Sequence, residues 1–169
     1  MQNILITTGG TGGHVIPAQI IKDHLEDEFE VFFSTDLRGL KYLSKKNNRI
    51  ILIDTPKFNV SFYLPFRIFK LIYLIFKSLV LLKKKKIKKI ISIGGYMSLP
   101  VIISGIILRL PIFLLEPNLV IGRVNKFFLK FATKIFCYSS KLSNFPEKYL
   151  NKIKIIKPLV SKSFYKLYK

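Results

Sequence analysis

The stretch ILITTGGTGGHVIPAQII, residues 4–21, decides how this chain folds. Ile4, Leu5 and Ile6 form a short apolar run that ends at Thr7 and Thr8. Four glycines follow within five positions, and Val15, Ile16, Ile20, Ile21 and Leu25 then recur at close to helical spacing. The pattern predicts a strand over 3–7, a tight turn over 8–14 and a helix over 15–25. Downstream the plan repeats. Apolar runs at 29–34, 49–54, 89–93, 112–115, 134–138 and 152–156 read as strands, and 65–82, 100–108 and 122–131 as helices, with a polar loop and a short helix across 38–48. The strand runs are continuously apolar instead of alternating, as in a parallel sheet covered on both faces. The expected fold is therefore α/β, a Rossmann-like, doubly wound parallel sheet. Such sheets bind ligands beyond the carboxyl ends of their strands, which singles out the loops 8–14, 94–100 and 116–122.

Composition bounds the function. A chain of 169 residues fits one domain with a sizeable core. Half of its residues are hydrophobic and the mean hydropathy is +0.33, so contact with a membrane enters the argument early. The apolar stretch 97–115 contains Pro100, Gly105, Arg109 and Pro111 and reads as helix, turn and strand, not as a bilayer span. No basic leader precedes the first apolar run, and the lone Cys137 in an apolar stretch is expected to be a buried thiol in a reducing compartment, the cytoplasm. The net charge of +20 is unevenly spread: Asp23, Glu26, Asp27, Glu28 and Glu30 cluster, and after Asp54 only Glu116 and Glu147 oppose 23 Lys and Arg. That asymmetry favours an anionic partner, either a membrane leaflet or nucleic acid. Charge alone supports nucleic acid, and the Phe-rich segment 62–76 offers apolar bulk where a phosphate-tracking surface needs spaced polar contacts, so no nucleic-acid partner is expected. No His, Cys and carboxylate cluster has metal-ligand spacing, and no metal is expected.

Three loops carry the chemistry. In Gly9-Gly10-Thr11-Gly12-Gly13-His14 the glycines let the backbone approach a ligand, and the free N–H groups at the helix start attract an anion, a phosphate in the simplest case. The turn is neither a dinucleotide G-x-G-x-x-G nor a Walker loop. A ligand-free tight turn is the alternative, and His14 reads either as a capping or core residue or as a proton acceptor near a sugar hydroxyl. Gly94-Gly95-Tyr96-Met97-Ser98-Leu99-Pro100 repeats the arrangement, with hydroxyls on Tyr96 and Ser98 and a proline suited to a first helical turn. Glu116 and Asn118 follow a buried strand, where they bind a ligand or cap the next segment.

The segment 58–89 is different in kind. Phe62, Phe66, Phe69, Tyr73 and Phe76 stand among Leu, Ile and Val, with Arg67, Lys70 and Lys77 interspersed and Lys83, Lys84, Lys85 and Lys86 behind. A helix apolar all round cannot bury one stripe only. Its spare face suits the interfacial region of an anionic bilayer, and a fully buried helix followed by a solvated lysine loop is the alternative.

Residues 9–18, Gly94-Gly95-Tyr96 and Glu116-Pro117-Asn118, in this order and near these spacings, resemble the N-terminal domain of the MurG family, glycosyltransferase family 28 with the GT-B fold. The resemblance runs from Met1 to about Pro158. It implies the acceptor-binding half of an inverting enzyme that moves N-acetylglucosamine from UDP-N-acetylglucosamine to a lipid-linked muramyl-pentapeptide, lipid I to lipid II, at the cytoplasmic face of the inner membrane. The two glycine loops would face the acceptor's diphosphate, His14 would be the base, and Tyr96, Ser98, Glu116 and Asn118 would line or position the acceptor. The family's second loop usually has Gly where Leu99 stands, and its third motif is His-Glu-Gln-Asn against Leu115-Glu116-Pro117-Asn118. The resemblance also implies a division at 157: residues 1–157 as the acceptor and membrane domain and 158–169 as a hinge or tail. The donor domain, which would hold most of the UDP-N-acetylglucosamine, lies outside the chain, and no other cofactor is implied. The alternative is a non-catalytic membrane-anchoring subunit that recruits a separate donor-binding subunit.

Overall fold

A computed structural model describes residues 1–43, 49–56, 64–139, 141–162 and 164. Among these described residues seven strands form one all-parallel sheet: β1 (Gln2–Thr7), β2 (Phe29–Thr35), β3 (Ile50–Leu52), β4 (Ile87–Ser92), β5 (Ile112–Glu116), β6 (Lys134–Cys137) and β7 (Ile153–Ile155). Their order is β3-β2-β1-β4-β5-β6-β7. Among the described residues four α-helices lie between them: α1 (Gly12–Leu25), α2 (Leu64–Lys84), α3 (Leu99–Ile107) and α4 (Arg123–Phe128). The order reverses between β1 and β4, so the loops leaving these two strands diverge and leave a crevice at the switch point.

Strand periodicity of two divides the core into two layers. Leu5, Phe32, Ile90, Ile112, Leu114 and Ile135 point to one face, with Leu74 and Leu82 of α2, Val101 and Ile102 of α3, and Phe128 of α4. Ile4, Ile6, Val31, Phe33 and Leu115 point to the other, where they meet Val15 and Ala18 of α1. That second face is the more open one. An apolar cavity of about 430 Å³ lies there between α1 and the strands, lined by Ile4, Ile91, Phe113, Leu115, Phe136 and Leu159 among others, and it is separate from the crevice at the strand ends.

Boundaries differ from expectation where the chain turns. The strand expected over 89–93 begins at Ile87, which is buried, because Lys86 adopts a left-handed φ of 49° and ends α2 abruptly. The helix expected over 122–131 is α4 plus a 3₁₀ turn, Leu129–Phe131, and the strand expected over 49–54 pairs only through Ile50–Leu52.

The helix over 65–82 exists, one turn longer, and is not buried all round. Leu74, Ser78 and Leu82 form its buried stripe, while Phe66, Phe69, Tyr73, Phe76 and Val80 form an exposed one at spacings of three and four. The fully buried alternative is therefore excluded. Phe62 lies outside the described residues. Lys83, Lys84, Lys85 and Lys86 are exposed, but at the far end of a helix of 21 residues, roughly 30 Å from its start. They do not border the crevice. Two of them end the helix where cations complement its dipole. Among the described residues no helix is long and apolar enough to cross a membrane.

Candidate functional site

The crevice is built from the ends of β1, β2, β4 and β5. The first glycine turn leaves β1, and Thr11 N–H donates to Gly9 O at 3.1 Å while His14 and Val15 N–H donate to Thr11 O, both at 3.0 Å. By position, the Gly12 and Gly13 N–H groups belong to the first turn of α1, where no helical carbonyl precedes them. Thr11 Oγ1 lies 3.1 Å from His14 Nδ1, so this hydroxyl engages one ring nitrogen and leaves Nε2 as the other. Gly10 has φ 82°, and a Cβ there would stand 3.0 Å from Arg38 Nη2. Only glycine takes this conformation without strain and allows the guanidinium so close.

The second loop packs directly behind the first. Gly95 has φ 81°, and a Cβ there would stand 3.5 Å from Gly9 O, so the two glycine turns touch backbone to backbone. Ser98 is fully buried and its Oγ donates to Gly95 O at 2.7 Å. That hydroxyl closes the turn and faces away from solvent, which departs from the ligand-facing place expected of it. Tyr96 points the other way, and its OH accepts a hydrogen bond from Arg38 Nη2 at 2.8 Å.

The third loop is organised by Glu116, which is 2% exposed. Its Oε1 accepts from Asn118 N–H at 3.3 Å and Asn118 Nδ2 at 3.0 Å, and its Oε2 accepts from Gly122 N–H at 2.8 Å and Asn125 Nδ2 at 3.0 Å. Four donors satisfy the buried carboxylate without a cation. Glu116 therefore holds the loop's shape, and Asn118, on the exposed side, is the member that meets solvent. Asn125 also donates to Leu115 O at 3.1 Å, and a Cβ on Gly94 would lie 3.3 Å from its amide, so this one side chain ties the third loop to the second. Beside Glu116 on the neighbouring strand, burial first and the carboxylate's charge second push the Cys137 thiol above its usual pKa, in keeping with a buried, unreactive thiol.

Sequence reasoning missed three contributors: Asp36, Arg38 and Asn125. Asp36 is 1% exposed just past β2; its Oδ1 accepts from Gly10 N–H at 3.0 Å and Gly39 N–H at 2.8 Å, and its Oδ2 from Arg38 Nε at 2.8 Å. Burial pushes the Asp36 carboxyl up, but these hydrogen bonds, led by Gly39, together with the guanidinium charge, outweigh it and leave the pKa below the ordinary value. The available signal for Asp36 was a carboxylate immediately after an apolar strand run. For Arg38 the sequence offered none.

The model of the glycosyltransferase family 28 N-terminal domain matches residues 4–137. The chain belongs to glycosyltransferase family 28. Within the family, it is 47% identical over 165 residues, 97% of its own length, to a protein of Pelagibacter ubique named UDP-N-acetylglucosamine--N-acetylmuramyl-(pentapeptide) pyrophosphoryl-undecaprenol N-acetylglucosamine transferase. A protein of the same name from Rickettsia typhi is 36% identical over 170 residues, 99% of the chain. The chain covers 46% and 43% of these two relatives, so it spans about half the length of the curated family 28 proteins it matches. Among solved structures, Acinetobacter baumannii MurG superposes with a TM-score of 0.78 at 22% identity, over 96% of this chain and 47% of that one. A UDP-GlcNAc 2-epimerase from Neisseria meningitidis superposes with a TM-score of 0.63 at 11% identity, over 91% and 45% respectively. These two likenesses establish the fold: the seven-stranded sheet is the Rossmann-like N-terminal half of a GT-B architecture, as family 28 membership leads one to expect.

Among the residues expected to form the site, Gly9, Gly10, Thr11, Gly12, Gly13, His14, Gly94, Gly95 and Tyr96 are brought together at the switch point, with the third loop tied to them through Asn125. Among the described residues no group of three or more His, Cys, Asp or Glu is placed to hold a metal.

Proposed function

We propose that this chain is the acceptor-binding half of an inverting glycosyltransferase that transfers N-acetylglucosamine from UDP-N-acetylglucosamine to lipid-linked muramyl-pentapeptide, the lipid I to lipid II step of peptidoglycan synthesis. The observation that carries the reading is the convergence of two glycine turns and the Glu116 loop on one crevice, in a chain that shares 47% identity with a relative of that name. The Gly12 and Gly13 N–H groups, at the positive end of α1, suit the acceptor's diphosphate. His14 is the base: in the tautomer whose Nδ1–H donates to Thr11 Oγ1, its Nε2 takes the proton of the acceptor's 4-hydroxyl as that oxygen attacks the anomeric carbon and the uridine diphosphate leaves. The donor sugar nucleotide is held mainly by a second domain or subunit, and the reaction needs no further cofactor in this scheme.

The exposed stripe of α2 supports peripheral attachment to the anionic cytoplasmic face of the inner membrane, where the lipid-linked acceptor resides. Phe66 and Phe69 are each 71% exposed, a disposition that is unfavourable in water and favourable at the headgroup boundary. Because the lysine cluster lies at the opposite end of the helix, α2 would have to lie along the surface for both to touch it.

The test is transfer of labelled N-acetylglucosamine to a lipid I analogue. The chain alone is expected to be inactive, and turnover is expected when a family 28 donor domain is supplied. Turnover by the chain alone would show that the donor site is not missing and would overturn the acceptor-half assignment.

A further inference from the structure

Arg38 stands out from the other surface cations. A surface arginine ordinarily keeps its rotamer freedom. Arg38, 45% exposed at the side chain, is instead held at two points: Nε on Asp36 Oδ2 and Nη2 on Tyr96 OH, both at 2.8 Å. Its guanidinium carbon lies 5.7 Å from the Tyr96 ring centroid, and its Nη2 rests against the bare Cα of Gly10. Among the described residues, Asp36 accepts one of the five guanidinium N–H donors and Tyr96 another, which leaves three for a ligand. Asp36 is buried behind the guanidinium and also grips the Gly10 N–H, so the carboxylate is inside and the cation outside. The pair holds the guanidinium against Gly10, in the same glycine turn that carries the Gly12 and Gly13 amides.

We infer that Arg38 is a diphosphate-positioning residue, a preorganised cationic wall of the crevice that grips one phosphate while the α1 amides grip the other. The inference rests on the acceptor reading above and adds to it a residue, a geometry and a preference for diphosphate over monophosphate. A planar fork matches two phosphate oxygens at once, and a fork already immobilised loses little entropy on binding. Tyr96 acts through Arg38 by fixing Nη2, so it is a positioning residue.

Titration calorimetry with inorganic pyrophosphate and with inorganic phosphate tests this. The wild-type chain is expected to prefer pyrophosphate. Arg38→Gln is expected to weaken pyrophosphate about tenfold or more and to abolish the preference, the range for losing a charged hydrogen-bond partner. Arg38→Lys, which keeps the charge but not the fork, should fall between, and Tyr96→Phe should lose a few-fold, about that of one neutral hydrogen bond. Lys134→Gln, an exposed cation at the start of β6, should change nothing. A merely structural Arg38 would lower the melting temperature and leave the pyrophosphate-to-phosphate ratio of the folded Arg38→Lys chain intact, and that result overturns the inference. If Arg38→Gln binds pyrophosphate like wild type, Arg38 is excluded while the glycine-turn site stands. If wild type binds no pyrophosphate, the diphosphate site itself falls.

Discussion

At the scale of single residues, the crevice is held by two buried carboxylates that work differently. Glu116 faces four N–H donors and no cation. Glu116→Gln turns an NH₂ toward donors that need an acceptor, so unfolding by urea should show a loss of about 1–3 kcal/mol, the usual cost of leaving buried polar groups unpaired. Asp36 has its pKa lowered in the folded chain. Its contribution is therefore complete above the ordinary carboxylate value near 3.8 and is lost as the pH falls through the lower folded value. Thermal melts from pH 6 to 2 should show an acid limb that Asp36→Asn flattens, and an unchanged limb would show that the Gly10 and Arg38 contacts contribute nothing. His14→Ala, assayed with a donor domain present, should cut turnover by about a hundredfold or more, as loss of a general base does. The glycine turns were legible because four glycines in five positions cost backbone entropy, and His14 and Tyr96 were placed by their position beside those turns. Asp36 and Arg38 were not, because nothing local marks a polar loop residue as the partner of a turn 26 positions away.

Among the elements, α2 is the most informative. Its aromatic content was plain in the sequence, and so was the surplus of apolar surface over what one buried stripe requires. Which stripe faces out depended on α3: Ser104 Oγ, which lies 2.7 Å from Pro100 O, is also 2.9 Å from Ile75 O, so this small side chain sets the contact between the two helices. The double substitution Phe69→Asp with Phe76→Asp should reduce partition onto anionic phospholipid vesicles at least about tenfold, since each phenyl ring is worth roughly 2 kcal/mol when taken out of water. Exposed on the folded chain, the same pair should change stability by under about 0.5 kcal/mol. Vesicle binding that survives the double substitution would remove α2 as the membrane contact.

At the scale of the whole molecule, the sheet is covered unequally, with α2, α3 and α4 on one face and α1 on the other. Adjacent residues of β5 should report this. Ile112, buried on the three-helix face, should cost about 2–5 kcal/mol on substitution by Ala, whereas Phe113, larger but bordering the 430 Å³ cavity, should cost less than Ile112 in the same denaturation experiment. The sequence by itself determined the alternation of strands and helices, the parallel sheet and the glycine-bearing loops at the carboxyl ends of its strands. These follow from local periodicity, glycine placement and continuous apolar runs, all of which act over a few residues. The tertiary structure alone decided that Ser98 turns inward and Glu116 props its loop, that Asp36 and Arg38 join the crevice, and that the lysines sit far from it. Each of these depends on which distant backbone a side chain meets, and that is set only when strand order brings the ends of β1, β2, β4 and β5 together.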